Sequence, residues 1–367
     1  MQGSNMIGKH LIYGAVGFVV ALVITSTVFL YVHNKRNYIE IIAVTGATPL
    51  AVKEDVGKGF LLEVAGDTEK VYRFDRGALN AFASTYVRTH EVSLEGDFEG
   101  TYRYTGIPVL HILEGVAPKK PEGAPFDRPL DVVVTFISES GESRHFSFGE
   151  LTMTDDSEPV ILAYKRNELL PAKSQNGEEY KYNIHKEPLN GLRLVCPAEP
   201  DTARYLDNVI RIVYSDPVVD NKGLPVMQQG LKCSSEAISI VKNGVSNPLS
   251  FEGVETASID GWVRTGHGRG FKVISSARGY NMRSLLKNNF PEAGPEKFFL
   301  FVACDGYRTL FSGREIFKTE AGRRMMLVNE VDGKPVRGGA SLGPVKDYYV
   351  DRETWGLTHI IMLDNIN

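Results

Sequence analysis

The chain repeats itself, and that repetition limits what it can fold into more than any other feature. Ser93-Leu94-Glu95-Gly96, Gly106-Ile107-Pro108-Val109-Leu110-His111-Ile112-Leu113 and Val132-Val133-Val134-Thr135-Phe136 have degenerate counterparts further on. These are Ser258-Ile259-Asp260-Gly261, Gly279-Tyr280-Asn281-Met282-Arg283-Ser284-Leu285-Leu286 and Phe299-Leu300-Phe301-Val302, in the same order. A further match sets Ile161 to Pro171 against Met326 to Pro335. A period of roughly 150–170 residues is too long for a solenoid and implies two homologous globular domains.

At 367 residues the chain has room for two cores. Its net charge of −4 and evenly spread Lys and Arg supply no basic stripe that tracks phosphates, so no nucleic acid partner is expected. Leu11 to Val32 contains no charged residue and no proline. That length of apolar helix spans a bilayer, and the polar Lys35-Arg36 flank without small residues at a cleavage site favours an uncleaved anchor. Lys9 on one side and Lys35 with Arg36 on the other leave the orientation undecided. Cys196, Cys233 and Cys304 are too few and scattered for a disulfide framework. Cys196 could pair with Cys233, or the cysteines could be buried free thiols.

Beyond the anchor, Tyr38 to Val44 and Phe60 to Val64 read as strands, and Asp75 to Tyr86 has helical spacing behind an Asp75 cap. A strand at Glu91 to Leu94 precedes a short helix from Pro108 to Leu113. Asp131 to Ile137 returns through Arg144 to Phe148 as a hairpin, echoed by Phe299 to Ala303 and Tyr307 to Phe311. Val209 to Tyr214 and Thr358 to Met362 close the two halves as strands. Asp216 to Ser235, with two prolines and two glycines, reads as a linker, and the polar stretch from Lys173 to Pro188 as a surface insertion.

This order of motifs resembles the sulfite-oxidase-type molybdopterin-binding fold. The resemblance rests on Tyr104-Thr105-Gly106-Ile107-Pro108-Val109, Ile161-Leu162-Ala163-Tyr164, Leu192 to Pro197 and Ala203 to Val209 in the first half. In the second half it rests on Asp305-Gly306-Tyr307-Arg308 and Arg352 to Leu357. The family would place a cysteine thiolate on molybdenum three residues before the glycine of a Cys-x-x-Gly motif. That position holds Ser93 in the first half and Ser258 in the second. The pterin phosphate would need cations, for which Arg204, Arg193 and Arg352 are the candidates, while Asp207 stands where related sequences carry a lysine. By the same resemblance an exported holoprotein would follow a twin-arginine signal, and no twin arginine precedes the apolar run.

Other chemical signals are weaker. Gly339-Ala340-Ser341-Leu342-Gly343 fits G-x-S-x-G, but loop-like flanks do not make a nucleophile elbow. Gly266-His267-Gly268-Arg269-Gly270 could form a backbone nest for an anion, with a surface loop as the bland reading. His90, His111, His145 and His359 lack metal spacing and read as structural or surface residues.

The expected architecture is therefore α+β and strand-rich, with two tandem sulfite-oxidase-like domains behind one transmembrane helix. The bounds are an N-terminal tail 1–10, an anchor 11–33, domain one 38–216, a linker 217–235 and domain two 236–367. The expected function is a membrane-anchored, cofactor-free binding or assembly module, its soluble part extracytoplasmic or periplasmic and its partner a protein in a redox or membrane complex. Ser93, Ser258, Arg204, His267, Arg269 and Arg352 would line a vestigial cofactor pocket, with no catalytic residue and no metal ligand. The alternative is a molybdopterin-dependent oxidoreductase using a serine ligand.

Overall fold

A computed structural model describes residues 61–364 and 366, apart from 155–157, 171–182, 188, 229–230, 232, 236 and 267–271. The segments 11–33 and 38–44, and His267 and Arg269, lie outside the described residues. The first half runs β1 (Leu62–Gly66), β2 (Tyr72–Phe74), α1 (Arg76–Asn80), β3 (Thr85–Val92), β4 (Phe98–Pro108) and α2 (Val109–Gly115). It continues with β5 (Val133–Ser138), β6 (Ser143–Ser147), α3 (Phe148–Thr152), β7 (Ile161–Leu170), β8 (Asn183–Glu187), β9 (Arg193–Val195) and β10 (Val209–Ser215).

The second half runs β11 (Ser239–Lys242), β12 (Val245–Pro248), β13 (Thr256–Thr265), β14 (Lys272–Asn281), α4 (Met282–Asn289), β15 (Phe298–Ala303) and β16 (Arg308–Ser312). After these come α5 (Gly313–Lys318), α6 (Glu320–Arg323), β17 (Met326–Val331), β18 (Lys334–Pro335), β19 (Ser341–Gly343) and β20 (Leu357–Leu363).

The expected α+β class does not hold. The strands make four five-stranded sheets, four blades in the manner of a β-propeller, and the longest described α-helix has 8 residues. Two blades have the orders β2-β1-β10-β5-β6 and β12-β11-β20-β15-β16. The other two are β3-β4-β7-β8 with β9 on β7, and β13-β14-β17-β18 with β19 on β17. The blades are not simple meanders, because β1 with β10 and β11 with β20 are parallel pairs. Instead of two separate sulfite-oxidase-like domains in tandem, all described residues belong to one compact unit, Thr48–Asn367.

The membrane-protein expectation is corrected as well. Among the described residues no helix is long and apolar enough to cross a membrane, and the expected anchor, 11–33, lies outside them.

Local chemistry explains most boundaries. In β15, Phe-Phe-Leu-Phe-Val-Ala is buried throughout, the near-continuous apolar run of a strand covered on both faces. The helix expected over Asp75 to Tyr86 stops at Asn80, because Thr85 onward is drawn into an eight-residue ladder with β4. Asp75 is its cap as expected, accepting from the Ala78 amide. Gly106 and Gly279 sit at bulges where a Cβ would come within 2.3 Å of the Leu162 carbonyl oxygen and 1.9 Å of that of Leu327. Only glycine fits there, which is why both halves keep it.

The described part of 217–235 runs against β15, β16 and β20 of the second half. Val219 and Leu224 pack on Leu300, Leu310 and Ile361, and Asn221 accepts a 2.7 Å hydrogen bond from Arg308. The strap is fastened by a Cys233–Cys304 disulfide with a Cα separation of 6.0 Å. Cys196 is the buried free thiol among the three cysteines.

Candidate functional site

The centre of the molecule is a buried polar network built on two short helices. In each half a hairpin ends on a serine that caps the following helix, Ser147 for α3 and Ser312 for α5. Each serine accepts from the amide of the glutamate three residues on, Glu150 and Glu315, at 3.1 and 3.0 Å. The hydroxyls then cross over: Ser312 donates to Glu150 at 2.9 Å, and Ser147 to Glu315 at 3.4 Å.

Each glutamate meets an arginine supplied just before the last strand of its own half. Arg204 donates to both Glu150 oxygens, at 2.9 and 3.1 Å, and through Nε to Glu199 at 2.5 Å. Arg352 donates to both Asp347 oxygens, at 2.7 and 2.6 Å, and to the Thr154 hydroxyl at 2.8 Å. Its Nη1 forms an ion pair with Glu315 Oε1 at 2.7 Å. The guanidiniums lie over the rings of Phe146 and Phe311, 3.9 and 4.3 Å from the centroids. Arg314 crosses from the second half to Glu199 and Asp201, and Lys318 stands 3.6 Å from Asp201.

The electrostatics follow from burial. Burial alone would lower the Arg204 and Arg352 pKa values, but the carboxylates beside each outweigh it and hold both guanidiniums charged. Burial raises Glu315 to about 8 against the attraction of Arg352, with Glu150 and Asp347 adding repulsion. Burial also raises Asp347, again opposed by Arg352. Arg204, Arg314, Arg352 and Lys318 face Glu150, Glu199, Asp201, Glu315 and Asp347, and with the Glu315 carboxyl holding its proton at neutral pH the four cations meet four carboxylates.

The residues singled out by sequence fall in different places. Arg204 and Arg352 join this one network. Ser93 is half-buried in the β3–β4 turn, where its hydroxyl accepts from the Glu95 and Asp97 amides at 3.1 and 3.3 Å. Ser258 is exposed on β13, opposite Arg278. The two serines are not equivalent: Thr85 pairs with Gly106 as Ala257 pairs with Gly279, so the counterpart of Ser258 is Tyr86. Arg193 is committed to Asp207, donating to both its oxygens at 2.9 Å. Ser341 of the G-x-S-x-G match is buried in β19, its hydroxyl donating to the Leu342 carbonyl.

Sequence reasoning missed Glu150, Glu315, Glu199 and Asp347. A signal was present for two of them, since Ser147-Phe148-Gly149-Glu150 and Ser312-Gly313-Arg314-Glu315 are both S-x-x-E capping boxes after a hairpin.

These residues do not fit a molybdopterin. Burial pushes the Cys196 thiol well up, away from the thiolate a soft metal needs, and its Sγ faces the Arg204 carbonyl oxygen at 3.8 Å. It borders a cavity of about 20 Å³, together with Glu150, Glu199, Arg204 and Glu315. No cluster of His, Cys, Asp or Glu suited to a metal occurs among the described residues. A larger cleft of about 450 Å³ lies between the strap and β20, lined by Val219, Leu224, Val241, His359 and Ile361.

No protein-family model matches this chain, and no curated protein does. Among solved structures it is similar to the sulfane dehydrogenase SoxCD from Paracoccus pantotrophus, at 15% identity over 78% of this chain and 76% of that one, with a TM-score of 0.30. A likeness that slight transfers no activity.

Proposed function

We propose that this chain is a non-catalytic binding or assembly module that works without a cofactor and whose partner is a protein. The observation that carries the reading is the internal neutralisation of Arg204 and Arg352. Both arginines are bound to carboxylates of the chain itself, in a network whose cations are already matched. A phosphate brought there would have to break buried ion pairs, each costly to leave half-made. The serines offered as metal ligands support the same view, one spent on a turn and the other exposed on a strand without an equivalent partner site.

Metal analysis of the purified full-length protein, combined with native mass spectrometry, tests this. The expected result is a folded chain at its sequence mass, carrying only substoichiometric molybdenum or tungsten. A stoichiometric metal or a bound pterin mass would refute it.

A further inference from the structure

We infer that the cleft between the strap and β20 binds a free aliphatic α-amino acid, with the apolar side chain on its floor and the zwitterionic head at its rim. The inference does not depend on the reading of the chain as a protein-binding module. The cleft encloses about 450 Å³, inside the roughly 300–1,000 Å³ range of small-ligand sites.

Register makes the floor. Paired strand residues share a face, so Ser246, Val241 and Ile361 stand in one row across β12, β11 and β20, with Ser239 beside His359 in the next row on that face. The first row continues through Leu300 and Leu310 of β15 and β16, and there Val219 and Leu224 of the strap pack on it. The strap therefore forms one wall of the cleft, and β11 and β12 form the other. Val219, Leu224, Val241, Ile361 and Leu363 give it an aliphatic lining, and the His359 imidazole is the one ring among the lining residues.

The hydrogen bonds of His359 fix what its ring offers. The Thr358 hydroxyl has one proton, and it goes to the Val302 carbonyl at 3.0 Å. The 2.9 Å bond between that hydroxyl oxygen and His359 Nδ1 is therefore donated by the imidazole. Burial lowers the His359 pKa and so favours the neutral ring. A neutral ring protonated at Nδ1 carries a lone pair at Nε2, which has no hydrogen-bond partner among the described residues and can accept from an ammonium.

The strap supplies both charges on a turn that is already set. The Lys222 amide donates to Asp220 Oδ1 at 3.0 Å, and the Leu224 amide to the Asn221 carbonyl at 3.1 Å. Buried Arg308 holds the same turn through the Asn221 side chain at 2.7 Å, so little ordering is left for a ligand to impose. Asp220 and Lys222 both line the cleft, and neither is in an ion pair among the described residues. Asp364, the other lining carboxylate, is held by Lys297 at 2.9 Å. One carboxylate, one ammonium and one imidazole acceptor over an aliphatic floor match the head and side chain of leucine, isoleucine or valine. A phosphate would find one lining lysine facing two lining carboxylates.

The test is equilibrium dialysis of the full chain with radiolabelled L-leucine, alongside its amide, which lacks the carboxylate, and 4-methylpentanoate, which lacks the amine. Saturable binding of one leucine per chain is expected, with a dissociation constant of about 1 mM or below, and both analogues should bind about fivefold more weakly. Lys222→Met should weaken leucine about fivefold without weakening the amide. Asp220→Asn keeps an oxygen for the Lys222 amide and should weaken leucine and the amide alike. Ser246→Trp, at an exposed lining position, should fill the cleft and abolish binding, while Asp260→Asn on β13 should bind like wild type. Circular dichroism confirms that each variant folds. Nitrogen-15 NMR should find His359 protonated at Nδ1, with its Nε2 resonance moving when leucine is added. No saturable binding, undiminished binding in Ser246→Trp, or equal or tighter binding of either analogue overturns the inference. So does a loss in Asp260→Asn equal to that in Asp220→Asn, or a His359 ring protonated at Nε2.

Discussion

Removing the Cys233–Cys304 disulfide should cost this protein a large part of its stability. The bond closes a segment of 71 residues, and in the chain-entropy account such a loop removes roughly 15 cal/mol/K from the unfolded ensemble, or about 4.4 kcal/mol at 25 °C. The folded state changes little when the bond is lost, because Val219 and Leu224 stay packed and Arg308 still holds Asn221. The double variant Cys233→Ser, Cys304→Ser leaves no new thiol to confuse the measurement. With a urea m-value of about 3 kcal/mol/M, the unfolding midpoint should fall by about 1.5 M. A thiol titration of the unreduced, denatured wild type should count one group, Cys196, out of three cysteines. Three reactive thiols would show that the bond does not form. A midpoint shift under about 0.3 M with the bond present would show that the loop is not what the disulfide restrains.

Three further perturbations address the central network and the bulges. Arg352→Met leaves Asp347 and Glu315 buried without their cation and should destabilise by about 3–5 kcal/mol in chemical denaturation; a loss below about 1 kcal/mol would mean that water reaches the site. The Glu315 carboxyl has a folded pKa raised from 4.5 to about 8, so the folded state holds its proton more tightly than the unfolded chain. Its contribution to stability is therefore full below pH 4.5 and declines as pH rises towards 8. The stability difference between wild type and Glu315→Gln should follow that slope, and a flat difference from pH 5 to 8 would contradict the assignment. Gly106→Ala places a methyl 2.3 Å from the Leu162 carbonyl and should cost about 2–4 kcal/mol by thermal melting, whereas Gly115→Ala, whose methyl would meet nothing nearer than 3.9 Å, should cost less.

Periodicity and punctuation carried the strand content of the sequence into view. The hairpin of β5 and β6, its echo in β15 and β16, and the closing strands β10 and β20 lie within a residue or two of where the pattern put them. What was illegible depended on partners distant in sequence. Tyr86 looks helical beside Leu79 and Phe82 but is claimed by a ladder with Thr105. Ser93 and Ser258 were aligned through S-x-x-G, a pattern that marks backbone bends rather than a ligand position. One bend is a hairpin turn and the other a bulge near Asp260 and Gly261 inside a strand. Arg204 and Arg352 were visible as candidate cations. Their neutralisation was hidden, because Glu150 and Glu199 reach Arg204 only after the chain folds back over 54 and 5 residues.

The crossed serines have a consequence for how the molecule holds together. Ser147 reaches Glu315 while Ser312 reaches Glu150, the reciprocal exchange by which two identical subunits meet across a dyad. Here both partners sit on one polypeptide, so their encounter is set by tethering and never by concentration. Such a seam does not loosen on dilution, as a dimer's would, and a cell needs no second copy to complete it. The first half to leave the ribosome must wait, with Glu199 held by Arg204 alone and Asp201 without its cations, until Arg314 arrives. Cleavage between the halves would turn a permanent seam into a dissociable one.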